Sequence, residues 1–301
     1  AAARSLHGAG FGRFPQTGWL RAVMEKPFGR DRTSFDELMN ELDGVFAEDQ
    51  VFRIDHYLGK EVIQNLMVLR FGNLVFEPVW NRAFVERVEV SWFEDIGVEE
   101  RGRYFDRYGI IRDVMQNHLL QMVALVGLEQ PLDMRKTLRD EKVKLLRAIR
   151  PVTRSQCVLG QYDAGQYEGV RHRGYREETF VPPDSRTPTY ARCVLFINNR
   201  RWAGVPFILR AGKGCGSRMT EIRMRFKEVP ENPFEGSGTE LSTNSLVIRV
   251  QPKEQINLLV QNKRPGLDWS VVTRELNLSY QSAFEEQIPD AYEALLMEVL
   301  R

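Results

Sequence analysis

The chain has 301 residues, enough for two domains or one large one, and its 43% hydrophobic content can fill a core, which excludes global disorder. Lysine plus arginine total 42 against 41 aspartate plus glutamate. This balance gives no whole-chain attraction for nucleic acid or an anionic membrane, so an anionic ligand must be met by a local cluster.

Three cysteines, Cys157, Cys193 and Cys215, are far apart and form no C-x-x-C pair. They read as free thiols of a reducing compartment, not as a disulfide framework or a metal site, and no metal is expected. The most apolar run, Leu119 to Leu128, is too short to span a bilayer.

In chain order, residues 1 to 18 read as loop. Gly8-Ala-Gly10-Phe-Gly12 imitates a dinucleotide-binding turn, but position 13 is arginine and no strand precedes it. The small-residue, arginine-bearing start is similar to a transit peptide, yet it has no initiator methionine and reads as cut, not targeted. Arg21 to Met24 is a short apolar strand. It is closed by Glu25-Lys-Pro-Phe-Gly29, where Pro27 biases Lys26 towards extended geometry. Thr33-Ser34 and Glu37 read as a capping box opening a helix through about Phe46. One αβ unit of this kind fits the last part of a doubly wound sheet, so residues 1–54 are expected to be the remnant of a Rossmann-like dinucleotide-binding domain.

From residue 55 the pattern predicts an α+β domain to residue 301, with a large, mostly antiparallel sheet and helices. Helices are expected over 60–69, 110–126 and 140–149. Strands are expected over 87–92, 191–197, 221–226, 246–250, 256–260 and 275–280, several with one wetter face. Pro230 to Ser245 reads as a loop, and Asp290 after Pro289 caps a final helix.

Of four histidines, His7 lies in the leader and His172 in a charged loop. His118 shares a stripe at α-helical spacing with residues 111, 114, 115, 122 and 125, all apolar, so it faces inward. That placement suits a core histidine or a general base at a cleft edge. Asp113, five residues earlier, falls well around an α-helix from it, so an orienting acid has to come from elsewhere. Arg53-Ile-Asp-His-Tyr-Leu-Gly-Lys60 gathers a carboxylate, an imidazole, a phenol and two cations. His56 and Lys60 share a face if a helix begins there, and with Tyr57 they would suit a phosphate; a solvated charge cluster reads equally well. Lys26 ends a strand, where such sheets bind ligands, or it is an ordinary surface lysine.

Taken together, Glu25-Lys-Pro-Phe-Gly29, Arg53 to Lys60 and Asp113-Val-Met-Gln-Asn-His118 resemble the signatures of the glucose-6-phosphate dehydrogenase family, in its order. Gly204 to Lys213, Val247 to Pro252 and Pro289-Asp-Ala-Tyr292 add to the likeness, which runs from about Trp19 to the last residue. The resemblance implies an NADP-dependent oxidoreductase of the pentose phosphate pathway, oxidising glucose 6-phosphate at C1. His118 would be its base and Asp55 the orienting acid. His56, Tyr57 and Lys60 would hold the phosphate, and Glu94 and Asp113 would meet sugar hydroxyls. Lys26, Lys213 and Gln251 would line the substrate site, Lys26 also on the catalytic NADP side, with Arg218 at the edge. Arg210, Arg223 and Arg249 match a second, structural NADP site, from which Met219, Leu259 and Asn277 depart. A homodimer or homotetramer built through the strand-rich last third is implied, with no nucleic acid or membrane partner. So is a cytoplasmic location, or a plastid one if a transit peptide lies upstream. The family's glycine-rich βαβ unit has no counterpart here, so the chain by itself is expected to be inactive. A glucose-fructose-oxidoreductase-like dehydrogenase and a non-catalytic sugar-phosphate-binding fragment are the alternatives.

Overall fold

The computed structural model describes Ser5 and residues 19–167, 169–234, 240–279 and 290–300. His7, the Gly8–Gly12 segment, Tyr280 and Pro289 lie outside the described residues. The chain divides into two compact units, residues 1–61 with 288–301, and residues 62–287.

In the first unit, β1 (Ala22–Glu25) runs parallel to β2 (Val51–Ile54), with Ala22 opposite Val51 and Glu25 opposite Ile54. Helix α1 (Arg32–Asp43) separates them in sequence. Its cap sits earlier than the sequence suggests. The Asp31 carboxylate accepts the Ser34 N–H at 2.9 Å, and Ser34 Oγ accepts the Asp31 N–H at 3.0 Å. The reason is Gly29, at φ +96°: a Cβ there would lie 2.7 Å from the Phe35 backbone nitrogen, so only glycine lets the chain turn this tightly into the helix. Leu42, Phe46 and Val51 form the buried core of this unit, with Met24, Leu38 and Met39 against it. The last helix, Ala291–Leu300, is capped by Asp290, whose carboxylate accepts the Tyr292 N–H at 2.9 Å.

The second unit is a mixed eight-stranded sheet with helices. Its strands are β3 (Val85–Phe93), β4 (Cys157–Gly160), β7 (Tyr190–Phe196), β8 (Pro206–Gly212), β9 (Met219–Phe226), β10 (Ser245–Gln251), β11 (Gln255–Lys263) and β12 (Val271–Ser279); β5 (Gly165–Tyr167) and β6 (Val170–His172) form a separate hairpin. The order is β12-β11-β10-β9-β3-β8-β7-β4. One pair, β3 with β8, is parallel, so the sheet is mostly antiparallel as expected, with a parallel centre that alternation cannot reveal. Alternation along β3 buries Val88, Val90 and Trp92 on one side, where Phe207, Leu209 and Ala211 of β8 and Ile222 and Met224 of β9 continue the apolar face. Glu89, Ser91, Arg210, Glu221, Arg223 and Arg249 stand on the other side.

Helices α2 (Glu61–Phe71) and α5 (Leu138–Arg147) match their expected positions to within two residues. The helix expected over 110–126 differs in kind. Helix α3 (Gly102–Ile110) breaks at Gly109, with φ +65° and ψ 170°. Ile111–Leu119 is then wound as a π-helix, in which the Leu120 N–H reaches back five residues to Met115 O, before α4 (Leu120–Gly127) resumes ordinary turns. This π segment packs against β3 and β8. The far end of α4 is held by buried donors: Val126 O accepts from Arg70 Nη1 at 3.1 Å and Trp80 Nε1 at 2.8 Å, and Gly127 O from Trp202 Nε1 at 2.8 Å. These satisfy terminal carbonyls that a helix leaves unpaired, and they anchor the helix that continues the π segment carrying His118. No helix among the described residues is long and apolar enough to cross a membrane.

Candidate active site

In the first unit the register carries the chemistry. Glu25 opposes Ile54, so Lys26 and Asp55 are the first residues beyond the carboxyl ends of two adjacent parallel strands. That edge is where open parallel sheets bind ligands. The Asp55 carboxylate accepts the Tyr57 N–H at 3.0 Å and caps a single 3₁₀ turn, His56–Gly59. Lys60 leaves this turn in extended geometry, with φ −75° and ψ 133°, so His56 and Lys60 do not share a face of a continuous helix. Gly59 closes the turn hard against the last helix: a Cβ there would lie 2.3 Å from Ala291 O.

Within the cluster, Tyr57 is buried and the Lys60 ammonium lies 5.6 Å from its ring centroid. His56 stacks on Tyr292 at 5.5 Å, and the Tyr292 hydroxyl donates to Glu25 at 2.6 Å. That hydrogen bond, with burial behind it, pushes the Tyr292 phenol up to about 12. Glu25 also stands 3.7 Å from His56 Nδ1. Glu25 and Tyr292 lie in segments that carry the family resemblance, which implies no role for either. Arg53 turns away from the cluster: it forks onto Glu48 at 2.7 and 2.9 Å, and this pairing raises its pKa. The segment therefore offers one lysine, not two cations.

In the second unit the same device recurs. Phe93 opposes Gly212 in the parallel pair, and the next residues are Glu94 and Lys213. Lys213 is buried, its Nζ 2.5 Å from Glu94 Oε2 and 5.2 and 5.7 Å from the rings of Trp92 and Phe105. Gln251 ends β10 opposite Thr220, which follows the first residue of β9, and exposed Arg218 immediately precedes that strand. Sheet register thus brings Glu94, Lys213, Arg218 and Gln251 to one end of the sheet. His118 and Asp113 are both buried on the π segment over β3 and β8. The π winding replaces ordinary α-helical spacing along the segment that carries both residues. Asp113 also bonds the Tyr104 hydroxyl, and burial followed by this carboxylate raises the Tyr104 phenol to about 12. No spacing in the sequence points to Tyr104.

Arg210, Arg223 and Arg249 line the opposite face and are already matched by acids. Arg210 pairs with Glu89 at 2.9 Å, Arg223 with Glu221 at 2.9 Å and Arg249 with Glu221 at 3.2 Å. Burial works to raise Glu89, but the Arg87 hydrogen bond and the charges of Arg210, Arg87 and Arg225 outweigh it and hold the carboxyl low.

A parallel αβ unit with ligand-type residues at its strand ends is thus followed by a large mixed sheet. An oxidoreductase from Sinorhizobium meliloti shares that fold at a TM-score of 0.51 and 11% identity over 98% of this chain and 65% of its own. Residues 67–301 match the family described as glucose-6-phosphate dehydrogenase, C-terminal domain, and residues 2–65 match its NAD binding domain. A solved glucose-6-phosphate dehydrogenase in complex with its substrate glucose 6-phosphate is similar at a TM-score of 0.91 and 41% identity, over 99% of this chain and 60% of that one. The chloroplastic glucose-6-phosphate 1-dehydrogenase 3 of Arabidopsis thaliana is 48% identical over 94% of this chain and 48% of its own length; the Dictyostelium discoideum enzyme is 50% identical over 95% and 57%. The cytoplasmic enzyme 5 of Arabidopsis thaliana is 46% identical over 94% and 53%. The chain belongs to the glucose-6-phosphate dehydrogenase family. This membership sets aside the glucose-fructose-oxidoreductase-like alternative. The chain spans about half the length of the curated relatives it matches.

Proposed function

We propose that the protein oxidises glucose 6-phosphate at C1 with hydride transfer to NADP, yielding 6-phosphoglucono-lactone. The observation that carries this reading is the Lys213–Glu94 pair at the end of the central parallel strands, in a fold similar at a TM-score of 0.91 to an enzyme solved with glucose 6-phosphate. A buried ammonium held at a sheet end by one carboxylate keeps two N–H donors for sugar or phosphate oxygens.

In this reading His56, Tyr57 and Lys60 hold the phosphate, remote from the reacting carbon. Glu94 and Asp113 accept hydrogen bonds from sugar hydroxyls. Lys213 and Gln251 line the pocket, and Arg218 flanks it. His118 takes the proton of the C1 hydroxyl as the C1–H electron pair departs as hydride, leaving a carbonyl at C1. Asp55 supplies the acid that serves the base. Residues 2–65 match an NAD binding domain, and Lys26 stands where such a unit presents residues to a dinucleotide. Bound NADP supplies the hydride acceptor, and Lys26 is the residue assigned to its nicotinamide end. The strand-rich sheet is assigned a second role, the contact of a homodimer or homotetramer. Exposed Leu276 and Leu278 on edge strand β12 support this assignment, because an apolar edge favours a covering partner.

The test is titration calorimetry with glucose 6-phosphate, glucose and inorganic phosphate. The proposal expects glucose 6-phosphate to bind well above either part alone. Equal affinity for glucose and glucose 6-phosphate would remove the sugar-phosphate assignment.

A further inference from the structure

Two of the three cysteines meet at the edge of the sheet. Strand β4 is its last strand and pairs with β7, with Cys157 directly opposite Cys193. Their sulfurs are 3.1 Å apart, and both are free thiols. Directly opposed residues of an antiparallel pair have Cα atoms about 4.5–5.5 Å apart, inside the roughly 4.4–6.8 Å span that a disulfide accepts. Bond formation asks for an approach of only about 1 Å between the sulfurs, well within side-chain rotation. The two thiols are not equivalent. Cys193 is buried, and burial, then its neighbour Cys157, pushes its thiol up to about 12. Cys157 is half-buried on the edge strand, where a small oxidant can reach it. Neither takes part in the proposed chemistry of the active site.

We propose that Cys157 and Cys193 are a reversible dithiol–disulfide pair that clamps the edge strand to the sheet. The oxidant is a low-molecular-weight disulfide. The Cys157 thiolate attacks one of its sulfurs, the S–S bond breaks, and one thiolate leaves with the electron pair. Cys193 then gives up its proton to a departing thiolate and attacks Cys157 Sγ, expelling the second small thiol. The pair loses two electrons and two protons, and the small disulfide is reduced to two thiols. Proximity offsets the poor acidity of Cys193 in the second step. The clamp bears on the neighbourhood of Lys213. Strand β4 ends at Gly160, whose carbonyl accepts the Thr189 N–H at 3.0 Å, and the Thr189 carbonyl accepts the Lys213 N–H at 3.0 Å.

The experiment treats the 301-residue chain with oxidised glutathione, alkylates remaining thiols and maps peptides by mass spectrometry. The expected product joins Cys157 to Cys193, two hydrogens lighter, and dithiothreitol restores both thiols; Cys215 stays alkylated throughout. In Cys193→Ser, glutathione is expected to remain on Cys157. Two results overturn the proposal, each in the unmutated chain: both thiols alkylated after oxidation, or glutathione persisting on Cys157. Hydrogen exchange supplies an independent reading: the amides of Cys157–Gly160 slow on oxidation if the clamp forms, and unchanged exchange contradicts it.

Discussion

Lys213 and Glu94 meet at 2.5 Å directly beyond the ends of the two parallel strands at the centre of the sheet. The backbone continues the ladder past the strands, with the Glu94 N–H on Gly212 O at 2.9 Å and the Cys215 N–H on Glu94 O at 2.8 Å. Both side chains are therefore set by sheet geometry and not by a free loop. In the first unit, Lys26 and Asp55 stand in the same relation to β1 and β2. In each unit a lysine and an acid occupy neighbouring strand ends, where the chain leaves the sheet and ligands can approach the backbone.

Replacing Lys213 by alanine removes one charged partner from a nearly buried pair. Glucose 6-phosphate affinity should fall roughly 10- to 100-fold, the worth of one or two charge-assisted hydrogen bonds. Calorimetry on the folded variant checks this. Unchanged affinity would mean that Lys213 serves Glu94 alone.

Lys60→Ala should raise KM for glucose 6-phosphate about tenfold or more while kcat changes little, because the phosphate is remote from C1. Steady-state kinetics in a polypeptide carried to the full length of its relatives separates the two. A drop in kcat at constant KM would move Lys60 out of the phosphate cluster.

The packing of the last helix against the 56–59 turn leaves no room for a side chain at Gly59. Gly59→Ala places a methyl group 2.3 Å from Ala291 O, which backbone cannot easily yield. A loss of about 1–3 kcal/mol is expected in denaturant unfolding, typical of overpacking. A neutral result would show that the last helix shifts freely against the 56–59 turn.

The clasp of the second unit has a pH signature. Arg201 forks onto Glu129 and also reaches Glu77, and its hydrogen bond holds the Glu129 carboxyl below the ordinary range. The folded value is the lower one, so the unfolded chain takes up the proton first. Stability from this pair is complete above the ordinary glutamate value, about 4.3, and drains away as pH falls through the folded value. Urea midpoints measured from neutral pH down to the acid limb should show less acid sensitivity in Glu129→Gln than in the parent. Identical slopes would assign the acid limb to other carboxylates.

Much of the fold was legible from local pattern. Strict alternation marked β3, and Asp290 marked the start of the last helix. Local patterns say nothing about partners, so the parallel pairing of β3 with β8 was invisible, and with it the meeting of Lys213 and Glu94. The π winding over Ile111–Leu119 was hidden for a related reason: its apolar positions also satisfy α-helical spacing, and the segment packs against β3 and β8, whose positions local pattern does not give. The 53–60 cluster was legible as chemistry but not as shape, because its 3₁₀ turn closes against Ala291, more than two hundred residues away. The arginines on the other sheet face matched a dinucleotide pattern in sequence, but their pairing with Glu89 and Glu221 appears only once strand register is known.

The role of His118 is the central claim, and His118→Asn tests it most directly. In a polypeptide of the relatives' full length, kcat should fall by about 10²–10⁴, the usual contribution of a general base, while glucose 6-phosphate affinity measured by calorimetry stays within about threefold. A variant keeping roughly a tenth or more of the parent kcat would contradict the assignment of His118 as the base.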